Sequence, residues 1–300
     1  MRIGFLGLGK MGAPMALNLA HYFPVKVWNR TPSKYDALKT AGATIGSSPS
    51  QVVQDSDIIF SMLFDEPAMR SVLNHNFKEA LKGKILVNTS SISVNFSEYL
   101  AQYVQEAGGD FLEMPVSGSA IPAKEGTLIG MLAGDPDVAN RVRPALSPIT
   151  RKAVYCGGIG TGLKTKYAIN LYLLTMNASL AESVNLARAQ GLDVEVFGQV
   201  LDAGPLASRH SGMKMEKVLS GHWSAQASIV DCCNITGLIA SAADAVGTEA
   251  PIVKLCNSLY EQARSRGLGS EDMIAVTKIF DVSRGDHERD YVGKKEAGGA

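Results

Sequence analysis

Short apolar runs alternate with amphipathic stretches through the first half of the chain, and this rhythm stops near residue 160. The run Arg2-Ile3-Gly4-Phe5-Leu6 ends at a glycine-rich turn, and apolar positions then recur at helical spacing over 11–21. Further apolar runs predict strands at 25–28, 57–61, 85–88, 111–113 and 127–132, with helical stretches at 34–40, 67–73 and 94–107. Apolar strands alternating with helices predict a parallel sheet covered on both faces. From 163 to 190 there is neither glycine nor proline, and apolar residues keep helical spacing. Such a helix extends roughly 40 Å at 1.5 Å per residue, long enough to join two domains. The segments after Gly191 are helical in pattern. The expected division is an α/β domain over 1–160, an all-α domain over 161–285 with 161–190 as interdomain helix, and a loose charged tail over 286–300.

The turn after the first strand reads Gly7-Leu8-Gly9-Lys10-Met11-Gly12. A GxGxxG sequence between a strand and a helix gives one glycine to a tight turn, one to close approach of backbone and pyrophosphate, and one to helix–strand packing. The helix start then offers free N–H groups and its positive dipole end to the phosphates. A Rossmann-type N-terminal domain follows. The second strand ends in Trp28-Asn29-Arg30-Thr31-Pro32-Ser33-Lys34, without the carboxylate that receives the ribose hydroxyls in NAD-preferring sites. Arg30 can grip a 2′-phosphate with a charge-assisted pair, and Asn29 and Thr31 add neutral donors. NADPH/NADP+ is the expected cofactor.

Lys166 and Asn170 lie one helical turn apart, and Asn177 follows on the same side. Polar groups on one face of an otherwise apolar helix are costly to bury without a purpose. If that face meets the space between two domains, Lys166 can serve as the proton donor that carbonyl reduction needs.

Lys+Arg 29 balance Asp+Glu 29, so no net charge selects nucleic acid or an anionic membrane as partner. Cys156, Cys232, Cys233 and Cys256 have neither zinc spacing nor the density of a disulfide framework, and the five histidines form no ligand pattern. No metal is expected. No apolar run nears the ~20 residues that span a bilayer. With the first strand starting at Arg2, no presequence is expected and the cytoplasm is the expected compartment.

From residue 1 to about 282 the chain resembles the β-hydroxyacid dehydrogenase (3-hydroxyisobutyrate dehydrogenase-like) family. Gly7, Gly9 and Gly12 match its fingerprint. Glu113-Met114-Pro115-Val116-Ser117-Gly118-Ser119 matches its substrate loop, and Gly160, Gly162, Lys166 and Asn170 match its GxGxxxKxxxN motif. The resemblance implies that Lys166 is the general acid/base and that Asn170 orients substrate. It implies carboxylate contact by Ser117, Gly118 and Ser119, and cofactor contact by Met62-Leu63-Phe64 and Ser91. The flanks of Arg30 and Ser119 are most similar to glyoxylate/succinic semialdehyde reductases, which implies NADPH-dependent reduction of short aldehyde or keto acids. It also implies a homodimer or higher homo-oligomer. One departure stands out: Asn234 and Ile235 occupy the place of a Lys-Asp pair, and Ala227 that of an aromatic residue, which implies a roomier, less charged pocket wall. Two alternatives follow. One is an imine reductase on the same scaffold, against which the retained Lys166 argues. The other is a non-catalytic NADPH-binding protein, against which Lys166, Asn170 and the Ser117-Gly118 loop argue together.

Overall fold

The computed structural model describes residues 1–281, so the tail expected over 286–300 lies outside the described residues. The chain divides into two compact units, one over Met1–Ile169 and one from Asn170 onward. The division falls inside the long helix Thr161–Ala189.

The first unit is built on one nine-stranded sheet. Its strands are β1 (Ile3–Leu6), β2 (Val25–Trp28), β3 (Thr44–Ile45), β4 (Ile58–Ser61), β5 (Ile85–Asn88), β6 (Asp110–Glu113), β7 (Val116–Ser117), β8 (Leu128–Gly134) and β9 (Thr150–Gly157). The order is β3-β2-β1-β4-β5-β6-β8-β7, with β9 also paired to β8. β1, β4 and β5 are buried along their whole length, as strands covered on both faces must be. The six strands from β3 to β6 pair parallel. The expected parallel sheet is present from β3 to β6, and beyond β6 a local departure follows, where β8 runs antiparallel to both β6 and β7. The cause is the connection: 118–127, with the short helix Ala120–Glu125, turns the chain straight back instead of crossing over the sheet.

Strand order reverses between β1 and β4, so their carboxyl ends form the switch point where open α/β sheets bind ligands. The segments after β1, β2, β4 and β5 all emerge at this edge.

The second unit contains helices Val194–Ala203, Arg209–Ser220, Ile229–Ala245 and Pro251–Ala263, followed by a 3-10 turn Met273–Thr277. Among its described residues, extended pairing is confined to two isolated bridges, Ser224 with Glu271 and Ser228 with Asp272. Its core includes Tyr260, fully buried, whose hydroxyl accepts from Asn177 Nδ2 at 3.0 Å. Asn177 also donates to the Met273 carbonyl at 3.2 Å. Asn177 thus uses its amide donor inside this unit and does not extend the polar face begun by Lys166. Beneath the same turn, Lys214 Nζ sits 2.6 Å from Asp272 Oδ1, both side chains nearly or wholly excluded from solvent. Among the described residues no helix is long and apolar enough to cross a membrane.

Candidate functional site

The glycine turn after β1 is shaped by space as much as by conformation. Gly7 has φ +96°, and a Cβ there would lie 2.3 Å from the Met62 carbonyl oxygen. A Cβ on Gly12 would stand 2.0 Å from the Gly7 carbonyl, so the first helix can lie this close only with glycine. Gly9 is the opposite case: a Cβ would meet nothing within 4 Å, leaving backbone open to an incoming group. The helix Gly12–Ala20 carries no side-chain cap at Met11. Uncapped N–H groups beside exposed glycine backbone suit a pyrophosphate. The residues present therefore fit a dinucleotide.

Asn29 is held by four hydrogen bonds. Its Oδ1 accepts from the Leu8 N–H at 2.9 Å, and its Nδ2 donates to the Thr31 carbonyl at 3.0 Å. Its own N–H donates to Tyr35 Oη at 2.8 Å, and that hydroxyl donates back to the Asn29 carbonyl at 2.7 Å. Asn29 clamps the glycine turn to the end of β2, and the Leu8 N–H is spent in the clamp. Arg30 and Thr31 stand exposed, and Arg30 makes no hydrogen bond or ion pair with any described residue.

The facing rim follows β4 and β5. The Met62 N–H donates to the Leu6 carbonyl at 2.8 Å, the Leu63 N–H to Ser90 Oγ at 2.9 Å, and Phe64 is 59% exposed. Ser61 donates to Asn88 Oδ1 at 3.0 Å and Thr89 to the Ser61 carbonyl at 2.7 Å. This buried ladder braces the two loops, and half-buried Ser91 stands just past it.

β6 and β7 run along one edge of β8, interrupted at Met114-Pro115. Proline has no N–H, but its carbonyl accepts from Met131 N at 2.9 Å, which keeps the loop on the sheet. Gly118 follows at φ +131°, where a Cβ would press to 2.7 Å of Leu128. Ser117 and Ser119, on either side, make no side-chain hydrogen bond to any described residue. Their hydroxyls are available.

The long helix begins just beyond Gly160, which takes φ +90°. Lys166 is only 7% exposed and makes no hydrogen bond or ion pair with any described residue. Burial lowers its ammonium pKa from 10.5 to about 8. No cationic neighbour contributes to that shift, although neighbouring cations are a common cause. One turn on, Asn170 is 7% exposed and its Oδ1 is buried without a partner. Asn234 lies on the Ile229–Ala245 helix of the second unit, exposed and without a hydrogen bond to any described residue. Sequence reading assigned no role to two further groups. Glu113, wholly buried, accepts from the Gly162 N–H at 2.8 Å, and Tyr167 donates to the Ile92 carbonyl at 2.6 Å. Only Glu113's place at the head of the loop motif signalled it.

Residues 2–158 match the family model for the NAD binding domain of 6-phosphogluconate dehydrogenase. Residues 160–280 match the model for the NAD-binding region of NADP-dependent 3-hydroxyisobutyrate dehydrogenase. Glyoxylate/succinic semialdehyde reductase 2, chloroplastic, of Arabidopsis thaliana is 34% identical over 286 residues, covering 94% of this chain and 80% of that protein. The 2-hydroxy-3-oxopropionate reductase of Escherichia coli is 32% identical, covering 94% of this chain and 98% of that protein. The 3-hydroxyisobutyrate dehydrogenase structure from Salmonella typhimurium superposes with a TM-score of 0.85 at 23% identity, over 93% of this chain and 99% of that one, and shows the shared fold. Fold, glycine cradle and matches together define an NADP-type oxidoreductase. The chain belongs to the β-hydroxyacid dehydrogenase family.

Proposed function

We propose that this protein is a reductase of short aldehyde and keto acids, of the glyoxylate and succinic semialdehyde class, with Lys166 as general acid/base. The observation that carries the reading is a buried, unpaired lysine one helical turn from a buried asparagine oxygen that also lacks a partner. Stranded polar groups of this kind are expensive in a fold and understandable as a site awaiting substrate. Relatives named as glyoxylate/succinic semialdehyde and 2-hydroxy-3-oxopropionate reductases support the substrate class.

When bound, the nicotinamide cofactor supplies the hydride that reduces the carbonyl carbon. Lys166, as ammonium, donates a hydrogen bond to the carbonyl oxygen, stabilises the charge that grows there and transfers its proton. The Asn170 amide orients the reacting end. The hydroxyls of Ser117 and Ser119 and the backbone at Gly118 hold a carboxylate, converting encounter into orientation. Gly7, Gly9, Lys10, Met11 and Gly12 take the pyrophosphate, and Met62, Leu63, Phe64 and Ser91 line the same edge. Leu8 and Asn29 support that turn from behind. Arg30 and Thr31 receive the 2′-phosphate. The protein is read as cytoplasmic. Exposed apolar side chains of the second unit, Tyr172 and Val200 at 68% each and Leu255 at 61%, favour a homodimer or higher homo-oligomer.

The test is NADPH oxidation by the purified protein with glyoxylate, succinic semialdehyde and a cyclic imine in parallel. Turnover of either aldehyde acid well above the imine is expected; preference for the imine would reject the reading. The pH profile carries a second expectation. Reduction uses the protonated lysine, so with a pKa of about 8 its rate holds below that value and falls above it. Oxidation of the hydroxy acid uses the neutral amine and rises through the same value. Arg30→Ala should raise KM for NADPH by about 10- to 100-fold, the loss of one charge-assisted phosphate contact. KM for NADH should barely move, and an equal change for both cofactors would count against the 2′-phosphate role.

A further inference from the structure

The lysine-bearing helix is held at its start by a residue from far along the chain. Glu113, the last residue of β6, is fully buried. Its Oε1 accepts from the N–H groups of Gly162 and Leu163 at 2.8 and 3.2 Å, and its Oε2 accepts from Ser97 Oγ at 2.6 Å. Helices usually find their N-terminal acceptor in the residue just before them. Here Thr161, at the helix start, turns its hydroxyl to the Gly158 carbonyl at 2.7 Å and leaves the capping to Glu113. Gly162 permits the approach, since a Cβ there would lie 2.5 Å from the Met131 carbonyl and 3.1 Å from Glu113 Oε1.

We infer that Glu113 is a positioning residue for the reaction: it fixes the first turn of the long helix against the strand from which the Ser117–Ser119 loop departs, and so sets where Lys166 stands relative to that loop. Two features carry this. Lys166 follows Gly162 and Leu163 by four and three residues, so it rises from the helix face whose N–H groups Glu113 holds. The Glu113 backbone pairs with Ala133 of β8, and the loop continues from it along that same strand. One side chain therefore ties the two candidate substrate-contacting segments together. A carboxylate at a helix start also meets the positive dipole end, which offsets part of its burial. Burial raises the Glu113 pKa, while its hydrogen bonds from Ser97, Leu163 and Gly162 oppose the rise. Tyr167, donating to Ile92, is a second strut on the adjacent residue.

The inference rests on the role proposed for Lys166, and its test separates the two. Glu113→Ala and Glu113→Gln are made in the wild-type protein and in Lys166→Ala, and NADPH oxidation is followed with glyoxylate. The glutamine keeps an oxygen for the two N–H groups and an NH2 for Ser97, so kcat should stay within about threefold of wild type. The alanine should lower kcat about 100-fold, the scale of a 1 Å misplacement, with the Kd for NADPH unchanged. In the Lys166→Ala background the same change should cost almost nothing, because the group being positioned is gone. An equal loss in both backgrounds, no loss in folded Glu113→Ala, or a loss in Glu113→Gln as large as in the alanine would each overturn the inference. If Glu113→Ala does not fold, Ser97→Ala, which frees one carboxylate oxygen, replaces it in the same cycle. It should cost several-fold in wild type and nothing beside Lys166→Ala, and equal losses would overturn the inference. Full turnover by Lys166→Ala alone would instead reject the proposed acid/base.

Discussion

Lys166→Ala should lower kcat by about a thousandfold, in the middle of the range for removal of a positioned general acid, while the Kd for NADPH stays within about twofold. The size follows from what the proposed role has the lysine supply at the transition state. With the ammonium gone, the developing oxyanion loses its donor, yet the glycine turn after β1 is untouched. Stability should move the other way. At pH 7 the ammonium is charged in both the folded and unfolded chain, and burial disfavours it only in the fold, as the drop from 10.5 to about 8 records. Replacement by an apolar side chain of similar length removes that burden. Lys166→Met should therefore melt at a higher temperature than wild type near pH 7, and the gap should narrow above pH 8 as the wild-type amine loses its proton. The loss of turnover and the gain in melting temperature together mark a group kept for chemistry at the expense of stability. A variant that kept wild-type turnover would remove Lys166 from the mechanism.

Much of this architecture is legible in the chain because its signals are local. β5 keeps the bounds of the apolar run that predicts it, since a strand covered on both faces is largely apolar, and β2 keeps its predicted bounds with buried Val25 and Val27 alternating with half-buried Lys26 and Trp28. β9 escapes the same reading. Its exposed positions, including Arg151 and Lys152, give it the pattern of an edge strand, which resembles a polar loop. β7 is two residues long behind Pro115 and offers no periodicity. The stretch read as one helix over 67–73 is a helix Glu66–Arg70, with a second, His75–Ala80, started by Asn74 accepting from the Phe77 N–H at 2.9 Å. That cap was visible in the sequence as an asparagine before a helical pattern. The long helix, free of breakers after Gly162, ends within a residue or two of its prediction.

In the site, motifs locate residues but not how their polar atoms are used. Asn29 is expected as a neutral donor near the 2′-phosphate, and its amide also bonds to Leu8 and Thr31, a use no motif announces. Asn177 shares the helical spacing of Lys166 and Asn170 but bonds to Tyr260 and Met273. Glu113 acts on a helix 49 residues later, a separation at which only folded geometry reveals a partner. The low pKa of Lys166 likewise comes from burial, which no local pattern of charge predicts.

Asp272→Ala should destabilise the second unit by about 3–5 kcal/mol, the usual result of removing one partner from a buried ion pair. Asp272 is wholly buried and its carboxylate is fully engaged. Oδ1 accepts from Lys214 Nζ at 2.6 Å and from the Ile274 N–H at 3.2 Å, while Oδ2 accepts from the Gln226 N–H at 3.0 Å. Lys217 Nζ stands 3.9 Å from Oδ2 and donates to the Ser224 carbonyl at 2.7 Å. Alanine would leave the Lys214 ammonium alone in the interior and two backbone donors unpaired. Burial already pushes the Lys214 pKa down, against the pull of Asp272. Without the carboxylate, that lysine should lose its proton more readily or drag water into the core. His210 lies in the same environment, its pKa lowered to about 4 chiefly by burial, so it is neutral at neutral pH and adds no further cation. Lys214→Met should cost less, because the remaining carboxylate keeps its two backbone donors and Lys217. The double variant Lys214→Met/Asp272→Ala should recover part of the loss, since it removes both charges and orphans only the N–H groups. Thermal denaturation of the four proteins gives the coupling energy directly. Additive single effects would show that the pair does not act as a unit, and a melting temperature unchanged in Asp272→Ala would remove it from the account of what holds this half of the chain.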